Sequence, residues 1–253
     1  MRKFSQVFLK NRAIAEKIVK CFETLVASCN KITEIGPGKG ILTEFLFKKY
    51  GQNYTGIEID PIMIDILKRK FKGINLINSD FLQIDQNLLS SYFIGNLPYH
   101  ISTAIIESLI SFNNFKLGIF MFQKEVAKKI VSKPKETGYG YISALINLLA
   151  HTEYLFEVSR KEFEPVPEVD SAVILIKINN NQITPDEFEN YKKFISMAFM
   201  HKRKTLINSL HLSLNKDKKT ITEKLIAKKL TENTRAEELS PLQLYDISKS
   251  FKS

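Results

Sequence analysis

A chain of 253 residues, 44% of them apolar, is long enough to bury one large domain plus a small one. Its formal charge of +10, from 37 basic and 27 acidic residues, draws it toward polyanions and nucleic acid above all, although the abundance of Lys, Asn and Ile that AT-rich coding produces would give the same balance. No apolar run approaches the roughly 18 to 20 residues of a membrane span. Cys21 and Cys29, with no histidine pair nearby, make neither a disulfide framework nor a zinc site, so no membrane association and no metal are expected and a reducing cytoplasm fits.

The first twenty-odd residues are basic and lack an acid until Glu16, as in an organelle-targeting helix; the segment KFSQVFL is expected instead to belong to the folded domain. After a helix opening near Asn11, short β-branched or apolar runs alternate with helical patterns. KITEI leads into a helix to about Tyr50, YTGIEI into a helix from Pro61 to Phe71, and INLIN into a loop around Asp80. SYFIGN precedes a helix from Ile101, and KLGIFMFQ follows. That rhythm predicts an α/β domain with a mainly parallel sheet covered by helices on both faces. HTEYLFEVS and DSAVILIKI are joined by the proline-bearing FEPVPEV without a helix, which predicts two antiparallel strands at the sheet edge. From Asn179 on, only helical patterns remain. The boundary is placed in INNNQITPDE, giving a domain of residues 1–178 and a helical carboxy-terminal domain of residues 179–253.

Directly after the first predicted strand of the sheet comes EIGPGKG, with Gly36, Gly38 and Gly40 at a strand-to-helix turn where the backbone can pass close to a ligand. The run is neither a P-loop nor the dinucleotide fingerprint, whose third glycine would come one position later. Taken alone it is compatible with a merely tight turn. The second strand ends in GIEID, which puts Glu58 about 20 residues further on, where a carboxylate reaches ribose hydroxyls in folds of this kind. The third ends in NSDFL, bringing Asp80 to the same edge, where it can accept from an adenine amine. Carboxylates and backbone suit a cationic sulfonium cofactor.

The fourth strand ends in Asn96, Leu97, Pro98 and Tyr99. This tetrapeptide matches the [DNS]PP[YF] class used on exocyclic amines. Such an amine is a poor nucleophile because its lone pair is delocalised, so both hydrogens must be held by acceptors: the Asn96 side-chain carbonyl and a backbone carbonyl near Leu97. Pro98 locks its own φ, and Tyr99 offers a face for a flipped base. A proline turn with a half-buried tyrosine is the plainer alternative; its occurrence after EIGPGKG, GIEID and NSDFL, in order, favours chemistry.

With these motifs in place the chain resembles the rRNA adenine N6-dimethyltransferase family, whose branches include the KsgA (RsmA) type and the Erm resistance enzymes. KFSQVFL is similar to the family's GQNFL, GNLPYHIST to GNLPYNIST, and FEPVPEVDSAVI to FxPxPKVDSAVV. The resemblance implies a Rossmann-like class I S-adenosylmethionine-dependent methyltransferase domain. It implies cofactor positions at Gln6, Val7, Leu9, Gly36, Gly38, Glu58, Ile59, Asp80, Phe81 and Asn96. The same likeness makes Phe163 a second aromatic across the base from Tyr99, with Pro165 and Pro167 stiffening its loop. Ser5 and Val7 depart from the usual Gly and Asn or His. Valine cannot hydrogen-bond the methionine end of the cofactor through its side chain, which implies weaker affinity unless Gln6 or backbone substitutes. His100, where Asn is usual, reads as a surface or packing residue.

MFQKEVAKKI, FMHKRKTLINSL and RAEELSPLQLYDIS are similar to the KsgA branch. The resemblance thus implies S-adenosylmethionine as donor and 16S-type rRNA of the small ribosomal subunit as partner. Two adjacent adenosines in the loop of its 3′-terminal hairpin would each receive two methyl groups. Lys202, Arg203 and Lys204 are the expected phosphate contacts, with Lys124 and the Lys228–Lys229 pair as further candidates and a solvated helix face as the plain reading of all of them. A monomer is expected. Three other readings stand: an Erm-type enzyme acting on large-subunit rRNA, an RNA-binding assembly factor that keeps the fold without the chemistry, and a DNA adenine or small-molecule amine methyltransferase, which the helical carboxy-terminal segment and the FEPVP aromatic disfavour.

Overall fold

The structure, a computed structural model, describes residues 7–26, 31–179, 183–201, 203–214 and 217–251. A two-residue strand, β1 (Phe8–Leu9), precedes α1 (Arg12–Leu25). Helix α1 starts where it does because Asn11 is its N-cap, its Oδ1 accepting from the Ala13 and Ile14 amides at 2.9 and 3.3 Å. The alternation then runs β2 (Ile32–Ile35), α2 (Thr43–Tyr50), β3 (Tyr54–Glu58), α3 (Pro61–Lys70), β4 (Leu76–Asn78), β5 (Tyr92–Asn96), α4 (Ser102–Ile110), β6 (Leu117–Gln123) and α5 (Lys124–Val131). After α6 (Tyr141–Leu149) come β7 (Ala150–Val158), β8 (Phe163–Glu164) and β9 (Ser171–Ile178). The rest is helical: α7 (Pro185–Met200), α8 (Leu206–Leu214), α9 (Lys218–Ala227) and α10 (Pro241–Ser248).

The strands form a seven-stranded sheet of order β4-β3-β2-β5-β6-β9-β7. β2 to β6 pair in parallel, and β9 runs antiparallel to β6. Placing β9 between β6 and β7 leaves β7 at the edge, so the two late strands are neighbours as the helix-free connection predicts. Strand order reverses between β2 and β5, and ligands of open α/β sheets sit outside the strand carboxyl ends at such a switch point. Gly95 lets these two strands approach there: a Cβ on it would lie 2.6 Å from the Ile35 carbonyl oxygen.

Two compact units emerge. The first comprises the chain up to Ala127 with His151–Ile178; the second comprises Lys128–Ala150 with the chain from Asn179 on. In the first, Ile18, Phe22, Ile32, Leu46, Ile94, Ile119, Met121 and Val173 make one buried cluster. The second packs around Tyr191, Phe194, Leu206, Leu210 and Leu244. A single break after residue 178 therefore does not describe the division. Residues 128–150 join the helical unit because their polar groups are satisfied within it. Tyr191 Oη donates to the Ala144 carbonyl and Tyr139 Oη to that of Leu239, each at 2.9 Å. Capping boxes at Thr184/Glu187 and Ser240/Gln243, each followed by a proline at the first helical position, start α7 and α10. Among the described residues no helix is long and apolar enough to cross a membrane.

Candidate active site

Because β2, β3, β4 and β5 are parallel, their carboxyl ends deliver Gly36, Glu58, Asp80 and Asn96 to one edge. There they line a single cavity together with Val7, Leu9, Gly38, Ile59, Phe81, Leu97, Pro98 and Tyr99. Gly36, Gly38 and Gly40 all have positive φ, at +67°, +54° and +82°, which lets the turn fold back without a Cβ penalty. At Gly38 a Cβ would also strike the Phe8 ring at 2.9 Å.

Glu58 is buried, and its two oxygens accept from the Gly38 and Asp60 amides, both at 3.0 Å. Burial raises its carboxyl above the usual value, and those two bonds pull it back down. Each oxygen keeps a lone pair for a ligand hydroxyl. Asp80 Oδ1 accepts from the Leu82 amide at 3.0 Å, which starts a single 3₁₀ turn beside the cavity that Asp80 lines. Asn96 is the most telling group: its Nδ2 donates to the Val7 carbonyl at 3.5 Å, while its buried Oδ1 has no hydrogen-bond partner. A buried acceptor left unpaired is costly, and a ligand amine would relieve it. The Tyr99 hydroxyl lies 2.7 Å from Ser171 Oγ.

Gln6, Ser5 and Lys202 lie outside the described residues. Val7 lines the cavity, and its carbonyl accepts from Asn96 Nδ2 at 3.5 Å. Phe163 is not brought to the cavity wall. It is fully buried in the sheet-side core, paired with Leu9 across the short β1–β8 ladder, so the place expected for a second stacking aromatic is a core position in this conformation. The reason is apolar: Leu9 and Phe163 bury each other. Arg203 and Lys204 are exposed in the turn between α7 and α8. Lys124 is tied to Glu157 at 2.6 Å and Lys228 to Asp246 at 2.7 Å, which makes both weaker candidates for phosphate.

Sequence reasoning left two residues of the site unnamed, Phe8 and Glu34, and read a third, His100, as a surface or packing residue. Phe8 covers the glycine turn with Lys39 Nζ 4.7 Å from its ring centroid. His100 stands exposed on the cavity lining. Glu34, two residues before Gly36, is buried, its Oε2 accepting from Thr43 Oγ1 at 2.7 Å and Tyr54 Oη at 2.6 Å. The signal for Glu34 was available as a charged residue inside an otherwise apolar strand.

Burial pushes the Glu34 carboxyl from 4.5 up to about 7, against the lowering effect of its two hydroxyl donors. A carboxyl raised on folding stabilises the folded state fully below the unfolded value of about 4.5, and that contribution is lost as pH rises through about 7. Glu34→Gln, which keeps an acceptor but cannot ionise, is expected to flatten the fall in urea midpoint across that window. Parallel wild-type and variant profiles would show that Glu34 is not the titrating group.

Sheet order, glycine turn and strand-end carboxylates define a Rossmann-like class I methyltransferase. The particular family follows from comparison: the ribosomal RNA adenine dimethylase profile matches residues 1–253, and the chain belongs to that family of RNA-methylating enzymes. It is 39% identical over 208 residues to the ribosomal RNA small subunit methyltransferase A of Thermotoga maritima, covering 81% of this chain and 72% of that one. With the protein of the same name from Mesomycoplasma hyopneumoniae it shares 41% over 219 residues, 85% and 83% of the two chains. A crystal structure of a dimethyladenosine transferase from Plasmodium falciparum superposes with a TM-score of 0.82 at 24% identity, covering 96% of this chain and 97% of that one, and so shares the fold. Among the described residues no group of three or more His, Cys, Asp or Glu is placed to hold a metal ion.

Proposed function

We propose that this enzyme takes methyl groups from S-adenosylmethionine and places them on the N6 amines of two adjacent adenosines in the 3′-terminal hairpin loop of small-subunit, 16S-type rRNA. The product is N6,N6-dimethyladenosine, formed in the cytoplasm during subunit biogenesis. The observation that carries the reading is the unpaired, buried Asn96 Oδ1 at the end of β5. The small-subunit assignment is supported by the names of the relatives above.

The residues fit the donor. Glu58 would hold the ribose hydroxyls, Asp80 the adenine amine, Ile59 and Phe81 the ring, and the Gly36–Gly38 turn with the Val7–Phe8 backbone the methionine end. The cofactor supplies an electrophilic methyl group on a sulfonium. The protein's own part is to accept one amine hydrogen on Asn96 Oδ1 and to stack the base on Tyr99, so that the nitrogen lone pair points at the methyl. The N–C bond would form as the methyl's bond to sulfur breaks, with a neutral thioether as leaving group, and the amine proton would pass to water afterwards, so no strong base is needed. Arg203 and Lys204, with Lys202, would contact phosphates.

The test incubates the protein with tritiated S-adenosylmethionine and unmethylated small subunits, large-subunit rRNA or DNA, and maps product by primer extension. Label on small subunits that stops extension at the adenosine pair is expected. Label on large-subunit rRNA alone would overturn the substrate assignment, and cofactor binding without label anywhere would make the chain an RNA-binding factor.

A further inference from the structure

The Tyr99 residue is held at two points. Ser102 Oγ donates to its carbonyl at 3.2 Å, fixing the backbone at the start of α4. At the far end of the ring, its hydroxyl and Ser171 Oγ are 2.7 Å apart. Ser171 is fully buried and opens a run of buried apolar residues from Ala172 to Ile176. A hydroxyl there costs free energy unless it is bonded.

The anchor itself cannot shift easily. Ser171 pairs with Gln123 in the β6–β9 ladder. The preceding Asp170 accepts the Lys124 amide on its carbonyl and the Arg160 amide on Oδ1, both at 2.9 Å. A rigid strand thus grips the end of a half-exposed ring on the wall of the Asn96 cavity. Phe163 lies in the core rather than on that wall, and the bond at the Tyr99 hydroxyl sets the tilt of the Tyr99 ring from behind. An untethered tyrosine on a turn can exchange among staggered side-chain wells, and a bond at the hydroxyl restricts it to one. Burial also keeps the Tyr99 hydroxyl above its usual range, so it is a neutral partner for serine rather than a base.

We propose that Ser171 is the positioning residue that fixes the plane of the Tyr99 ring against the target base. This rests on the reading of Tyr99 as the stacking face. Ser171→Ala and Tyr99→Phe remove the same hydrogen bond from its two ends. Each is expected to lower kcat on small subunits about five- to tenfold, with the KM for S-adenosylmethionine unchanged, and the double variant is expected to be no slower than the slower single one.

The spectroscopic reading uses small subunits reconstituted with 2-aminopurine at the target position, whose fluorescence is quenched by ring stacking; both single variants should quench less. Wild-type kcat and quenching in either single variant would overturn the proposal, as would a double variant slowed by the product of the two effects. Should Ser171→Ala fail to fold, Tyr99→Phe decides alone. Tyr99→Ala separates the two levels of the argument. If it keeps wild-type quenching, the stacking reading itself fails. If it loses quenching while Ser171→Ala and Tyr99→Phe keep it, stacking stands and the tether is refuted.

Discussion

Asn96→Ala is expected to slow methyl transfer by about a hundredfold to a thousandfold at saturating substrate, the range seen when one preorganised polar group is taken from a reacting centre. The side chain stands at the carboxyl end of β5 with Nδ2 turned to the Val7 carbonyl and Oδ1 buried without a partner. Truncation removes the buried, unpaired Oδ1 that the proposed function assigns to holding an amine hydrogen, and it leaves the strand intact. The fold should survive, because the variant removes one unsatisfied acceptor and a single long 3.5 Å bond to the Val7 carbonyl. Single-turnover methylation of small subunits measures the rate, and calorimetry with S-adenosylmethionine measures the affinity. A rate within threefold of wild type would remove Asn96 from the chemistry. A loss confined to cofactor affinity would reassign it to the cofactor.

Glu58→Ala should act on the other term. Its carboxylate is held by the Gly38 and Asp60 amides, and through them it ties the glycine turn to the end of β3. Removing it deprives the ribose of charged acceptors and orphans two buried donors, so cofactor affinity is expected to weaken by about two orders of magnitude. At saturating cofactor kcat should change little. Because burial raises the Glu58 carboxyl, wild-type affinity should also begin to fall, as pH is lowered, at a higher pH than an exposed glutamate would give. Equilibrium binding of the variant within a fewfold of wild type would show that another group holds the ribose.

The parallel sheet and the loop edge that carries the site were readable because their signals are local. β-branched runs alternate with helical runs, and Gly36, Glu58, Asp80 and Asn96 each close a strand, so a parallel sheet must bring them to one edge. What escaped depends on contacts distant in sequence. Phe163 meets Leu9 across a two-residue ladder that neither segment's composition announces. Residues 128–150 precede the predicted boundary, yet bonds such as Tyr139 Oη to the Leu239 carbonyl, Tyr191 Oη to the Ala144 carbonyl and the Lys135 amide to the Glu237 carbonyl place them in the helical unit. Lys124 looks like any surface cation until Glu157 is found beside it. The basic count was visible, but the neutralisation of particular lysines was not.

The close approach of β2 and β5 at Gly95 has an evolutionary meaning. On the proposed role, Asn96 could exchange with another small acceptor and keep some chemistry, since that role asks only for an oxygen in a given place. At Gly95 the neighbouring strand leaves no room for even one carbon, 2.6 Å from the Ile35 oxygen. Every substitution must pry β2 from β5 at the seam that frames the cavity. At position 95 the constraint is volume rather than chemistry, so a lineage that gave up catalysis while keeping the fold is expected to vary at Asn96 before it varies one residue earlier.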